Sequence, residues 1–134
     1  MGKNRGMSDY TIKNLKEIDN AAEEFGLSPK LEARFARGPL EGDSVGLSYQ
    51  RMAPNLRSAW GHNHREQEEI YVLLSGSARM KLNDDIVQLK PWDAVRVAPA
   101  TMRAFEAGPE GAELLAFGAG QARDVEMVHG WWND

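Results

Sequence analysis

His62, His64 and Glu69 are the residues whose types and spacing most directly suggest chemistry. Two histidines two positions apart leave the same face of an extended strand. Glu69 lies at an odd offset from both, so along one strand it would face the other way. It reaches the imidazoles only if a turn intervenes, and the polar segment from Arg65 to Glu68 supplies that turn. Two neutral imidazoles and one carboxylate form the facial donor set that Fe(II), Mn(II), Ni(II), Cu(II) or Zn(II) sites use, with positions left open for water or substrate. A His-x-His pair alone is common in solvated loops. Here an apolar run, Ile70 to Leu74, follows and ends at Ser75 and Gly76.

Other side chains could line the same site. Trp60 has the parity of His62 and His64 and would wall a pocket beside them. Tyr71 shares the face of Glu69, as does Leu73, and could present its hydroxyl inward. Glu66 and Glu68 read as solvated turn residues, and Arg79, Lys81 and Arg96 as solvated charges on strand faces. His129 reads as a tail residue rather than a ligand. There is no Gly-rich phosphate loop and no serine in a nucleophile elbow.

The elements that must position these groups are short strands separated by turn residues. Leu31 to Arg37, Val45 to Arg51, Ile70 to Leu74, Ala78 to Leu82, Ile86 to Leu89, the run through Val95 and Val97, Met102 to Glu106 and Glu113 to Phe117 all read as strands. Gly38-Pro39, Pro54-Asn55, Asn83 to Asp85, Pro99 and the stretch Gly108 to Gly111 punctuate them. That grammar predicts an all-β sandwich or barrel. Its expected core is Leu47, Tyr49, Val72, Leu74, Met80, Leu82, Val95, Val97, Phe105, Leu115 and Phe117. Residues 10–25 fit either a strand with a short helix or one helix. Residues 1–9 read as a disordered leader, and 10–134 as one domain. Trp131 and Trp132, adjacent near the end of the sequence, are expected to pack on the barrel or a partner.

Composition narrows the partners. The 134 residues carry 16 Lys and Arg against 20 Asp and Glu, a net charge of −4, and no basic stripe. Nucleic acid is therefore not an expected partner. No apolar run approaches the roughly 20 residues needed to span a bilayer, and the first ten residues lack the apolar core of a secretory signal. The absence of cysteine rules out thiolate ligands and cysteine catalysis and fits a reducing, cytoplasmic setting.

His62, His64, Glu69 and Gly76 together resemble the first motif of the cupins, small double-stranded β-helix (jelly-roll) barrels. That motif reads His-x-His, three or four residues, Glu, six residues, Gly. The likeness extends over about residues 40–118, although Leu56 stands where the motif has an earlier Gly. The second cupin motif is degenerate in this chain. Trp92 stands for its Gly, Ala98 for Pro, Ala100 for the second Gly, Ala107 for Asn, and Arg103 for the histidine that would be the fourth ligand. The resemblance implies a jelly-roll barrel with a short N-terminal extension and a small molecule bound inside. If the protein is an enzyme, it implies metal-dependent isomerase or dioxygenase chemistry. It also implies a homodimer covering exposed edge strands.

Arginine cannot ligate a metal, because its guanidinium stays protonated and offers only donors. Two outcomes follow. His62, His64 and Glu69 hold a divalent ion as three ligands while Arg103 docks an anionic part of the ligand. Alternatively, Arg103 occupies the metal position and pairs with Glu69, giving a metal-free binding or sensing module.

Overall fold

Two long strands organise the fold. In a computed structural model of the chain, described for residues 9–58, 60–120 and 125–132, β4 (Glu68–Leu82) and β7 (Arg103–Ala119) pair antiparallel along most of their length. The other strands are β1 (Leu31–Phe35), β2 (Val45–Met52), β3 (Trp60–His64), β5 (Asp85–Leu89), β6 (Ala94–Val97) and β8 (Val125–His129). Strand order runs β1-β2-β7-β3-β8, and β4 adds pairings to β5, β6 and β7. The sheet curls on itself into a jelly-roll barrel. No helix among the described residues is long and apolar enough to cross a membrane.

β4 and β7 each replace two expected strands. Ser75-Gly76 and Gly108 to Gly111 do not reverse the chain. They are irregularities inside continuous strands, with register shifts between Leu73 and Ser75 and between Gly76 and Ala78. Gly76 has φ 79° and Gly111 φ 81°, and a Cβ on Gly76 would stand 2.0 Å from the Gly111 carbonyl oxygen. The two backbones cross where a side chain would clash, so glycine here permits a bend rather than a hairpin.

The core corrects the expected list by one residue along several strands. Tyr49, Met80, Val97 and Phe105 are buried as expected. Tyr71, Leu73, Leu114 and Ala116 are buried where Val72, Leu74, Leu115 and Phe117 were expected, and these four are only half-buried. Leu47, Leu82 and Val95 are half-buried as well. In continuous apolar runs both faces read alike, and only the pairing decides which face turns inward.

Residues 10–25 form no strand and no continuous α-helix, and the short helix expected near Asp19–Phe25 is a 3₁₀ turn. Two 3₁₀ turns, Leu15–Glu17 and Ala21–Glu23, are each opened by an asparagine whose Oδ1 accepts from a backbone N–H two residues on. Such side-chain bonds compete with helix propagation. A four-residue helix, α1 (Arg37–Leu40), follows β1. The leader expected over 1–9 lies, apart from Asp9, outside the described residues.

The C-terminal segment adds an unexpected strand, β8, paired with β3. Beyond it, Trp131 sits on Gly61, where a Cβ would be 2.5 Å from its Cγ, and Trp132 lies 4.6 Å from the Arg57 guanidinium. Lys81 is not the solvated charge expected. It is buried, donates to the Trp131 carbonyl at 2.9 Å and lies 4.1 Å from that indole ring.

Candidate functional site

β3 carries His62 and His64, the chain bends at residues 65–66, and β4 brings Glu69 back against them. Glu69 Oε1 lies 3.3 Å from His62 Nε2 and 3.4 Å from His64 Nε2. The three side chains present donor atoms that all lie within 4.8 Å of one another. The Tyr71 hydroxyl donates to the same oxygen at 2.5 Å. Burial raises the Glu69 carboxyl, but the bonds from His62 and Tyr71 and the charges of both histidines outweigh it, leaving it at about 2. Burial pushes the Tyr71 phenol well above its usual range, and the Glu69 charge adds to that rise.

Gln67 is a site residue that the motif spacing does not mark. Its amide donates to Glu69 Oε2 at 3.1 Å and lies 3.5 Å from His64 Nε2. It is buried, and its amide occupies the space where Gly118 lacks a Cβ, which would fall 2.8 Å from Gln67 Cδ. The available signal was parity, since Gln67 stands two residues before Glu69 and so shares its face once the strand begins early.

Arg103 also approaches the group. Its register partner on β3 is His62. The side chain is fully buried, with Nη1 donating to the carbonyls of His62 and Pro99, both at 3.4 Å, and Nη2 to that of Ala98 at 3.3 Å. Nη2 is 3.8 Å from Glu69 Oε1, a long ion pair. Among the described residues, the Nε of Arg103 has no hydrogen-bond partner.

His62, His64, Glu69 and Tyr71 face a cavity of about 600 Å³ that Phe35, Trp60 and Met127 also line; Arg103 is not part of its surface. Trp60 is half exposed, and the ring of His129 packs edge-on against it at 4.6 Å. Among the described residues, His129 does not belong to a metal-type cluster.

No family model matches the chain, and no curated protein matches it. Solved structures do. A cupin protein from Bacteroides fragilis is similar at 17% identity with a TM-score of 0.69, over 94% of this chain and 93% of that one. The polyketide cyclase RemF of Streptomyces resistomycificus is similar at 16% identity and TM-score 0.71, over 92% and 87%. A mutant of the oxalate decarboxylase OxdC of Bacillus subtilis matches at 19% identity and TM-score 0.69, with 88% of this chain covering 33% of the longer one. The chain has the cupin fold. Within this cupin barrel the His-His-Glu group sits on β3 and β4, both of which pair with β7, the strand that carries Arg103.

Proposed function

We propose that the barrel holds a divalent transition metal on His62, His64 and Glu69 and binds a small oxygenated or anionic molecule in the cavity above it. The spacing of the donors supports this most directly. Two ligands each about 2.0–2.2 Å from one ion, at tetrahedral or octahedral angles, stand about 3–3.5 Å apart. The separations of 3.3 and 3.4 Å fall in that range. A bound ion would supply a Lewis acid that polarises an oxygen of the ligand. The chain's own groups hold the donors in place: Tyr71 and Gln67 each donate to one oxygen of Glu69 and fix the carboxylate. Trp60 walls the cavity. The similar structures include a cyclase and a decarboxylase, so the fold alone does not select a reaction.

The 3.8 Å approach of Arg103 to Glu69 favours a second reading, in which the guanidinium supplies the balancing charge and the barrel binds its ligand without metal. Elemental analysis of protein purified without chelator or nickel resin separates the two. The metal reading expects stoichiometric uptake that disappears in His62→Ala. Less than about a tenth of an equivalent, with no uptake on titration, overturns it. We also infer that the protein is a homodimer.

A further inference from the structure

The cavity contains a cation that the metal reading does not use. Arg37, at the start of α1, lines it and lays its guanidinium over Gly46 on β2, where a Cβ would stand 3.0 Å from Nε and Nη2. Its Nη1 donates to the Asp43 carbonyl at 3.1 Å and its Nη2 to the Gly120 carbonyl at 2.8 Å. Both acceptors are neutral, and among the described residues Arg37 forms no ion pair. Among the described residues, two of the five guanidinium N–H groups are thus used, and the charge has no partner of opposite sign in a mostly apolar cavity. Tying two carbonyls needs only neutral donors, and a half-buried cation without a counter-charge is costly.

The sheet register aligns this cation with the metal-type site. Gly46 pairs with Gly118, and Gly118 pairs with Glu69, so the three share one rung and one face. Both glycines leave room above the backbone. The Arg37 guanidinium fills one space and the Gln67 amide the other, giving a row Arg37, Gln67, Glu69 across the barrel floor. Neighbouring strands are about 4.8 Å apart, which puts Arg37 roughly 10 Å from the Glu69 end of the row. Phe35, Trp60 and Met127 line the same cavity.

We propose that Arg37 anchors an anionic end of the ligand. The ligand class is then an elongated small molecule with an oxygen donor at the His62, His64 and Glu69 end, an apolar middle, and a carboxylate or similar anion at Arg37. This inference rests on the metal reading and adds a second recognition point to it.

The probes are ω-carboxy hydroxamic acids with four to eight methylenes and the matching hydroxamic acids ending in methyl, titrated calorimetrically into zinc-loaded protein. Wild type should prefer the acid by about tenfold or more at one chain length. Arg37→Gln should lose that preference while zinc uptake and affinity for the methyl-ended probe stay unchanged. Gly46→Ala, which crowds the guanidinium, is a second variant that should weaken the preference in the same way. A wild type that takes up zinc but binds both probes equally overturns the role of Arg37 and leaves the metal reading standing. So does a preference that survives in both variants. A wild type that takes up no zinc overturns the metal reading and this inference with it.

Discussion

Arg103 shows how a permanent cation is accommodated beside two histidines. Three main-chain carbonyls, those of His62, Ala98 and Pro99, receive its N–H groups, so most of its charge is solvated by backbone rather than spent on Glu69. Its register with His62 means that a side chain at 103 shares that histidine's face of the barrel. Arg103→His should therefore add an imidazole beside the existing donors and remove a nearby positive charge. If wild type binds metal, affinity should rise at least about tenfold, because a unit charge about 5 Å from a divalent ion costs over 1 kcal/mol even at high effective dielectric. Competitive titration against a calibrated chelator measures it. An affinity at or below wild type would show that Arg103 is not acting against the ion. Arg103→Met should destabilise the fold by about 3–5 kcal/mol in chelator, since it removes the donors to three carbonyls and the cation near a buried carboxylate. His62, His64, Glu69 and Tyr71 could be placed near one another from the sequence because parity along each strand and the turn at residues 65–66 between them are local. Arg37 could not, because its position depends on Gly46 pairing with Gly118, a contact far apart in sequence.

The strands themselves were legible both where polar and apolar residues alternate and in the apolar run from Ile70 to Leu74, but in that run the face that turns inward was not. The turn at residues 65–66 and the strands around it follow from local pattern, whereas the continuity of β4 and β7 rests on a backbone crossing between Gly76 and Gly111. Trp92 shows a related limit. It takes the position of a motif glycine and adopts φ 75° all the same, held by a bond from its N–H to the Leu73 carbonyl. At the N-terminal edge, Glu32 on β1 joins three elements through Lys16 at 3.0 Å, Arg34 at 2.6 Å and Arg51 at 3.0 Å. Burial raises its carboxyl, but the three cations prevail and lower it from 4.5 to about 2. A depressed carboxyl contributes stability above its unfolded value and loses that contribution as pH falls toward its folded value. The gap between wild type and Glu32→Gln should then be on the order of 2 kcal/mol at pH 7, after allowance for the exposed Lys16 and Arg51, and should close between about pH 4.5 and 2. Denaturant melts of both proteins across that range test it. A gap that stays constant with pH would mean that the glutamate's charge contributes nothing.

At the scale of the molecule, apolar surface lies where the barrel has open edges. β1 and β8 end the strand order, with β1 paired only to β2 and β8 only to β3 among the described residues. Beside β1, the segment that contains the two 3₁₀ turns exposes Tyr10, Ile12 and Phe25, each more than 70% accessible. Side chains of that size held out in water beside a strand that ends the sheet order form an adhesive surface, and a second copy of the chain offers the same surface in return. A two-fold interface there would cover the N-terminal segment. Light scattering at micromolar concentration should give a mass near twice the 14.9 kDa of one chain. Ile12→Asp combined with Phe25→Asp should return it to the monomer, and the metal stoichiometry should be unchanged because no donor lies in that segment. A monomeric wild type would overturn the dimer. A wild-type dimer that persists in the double variant would shift the interface to the β8 edge, where Met127 and Val128 are exposed.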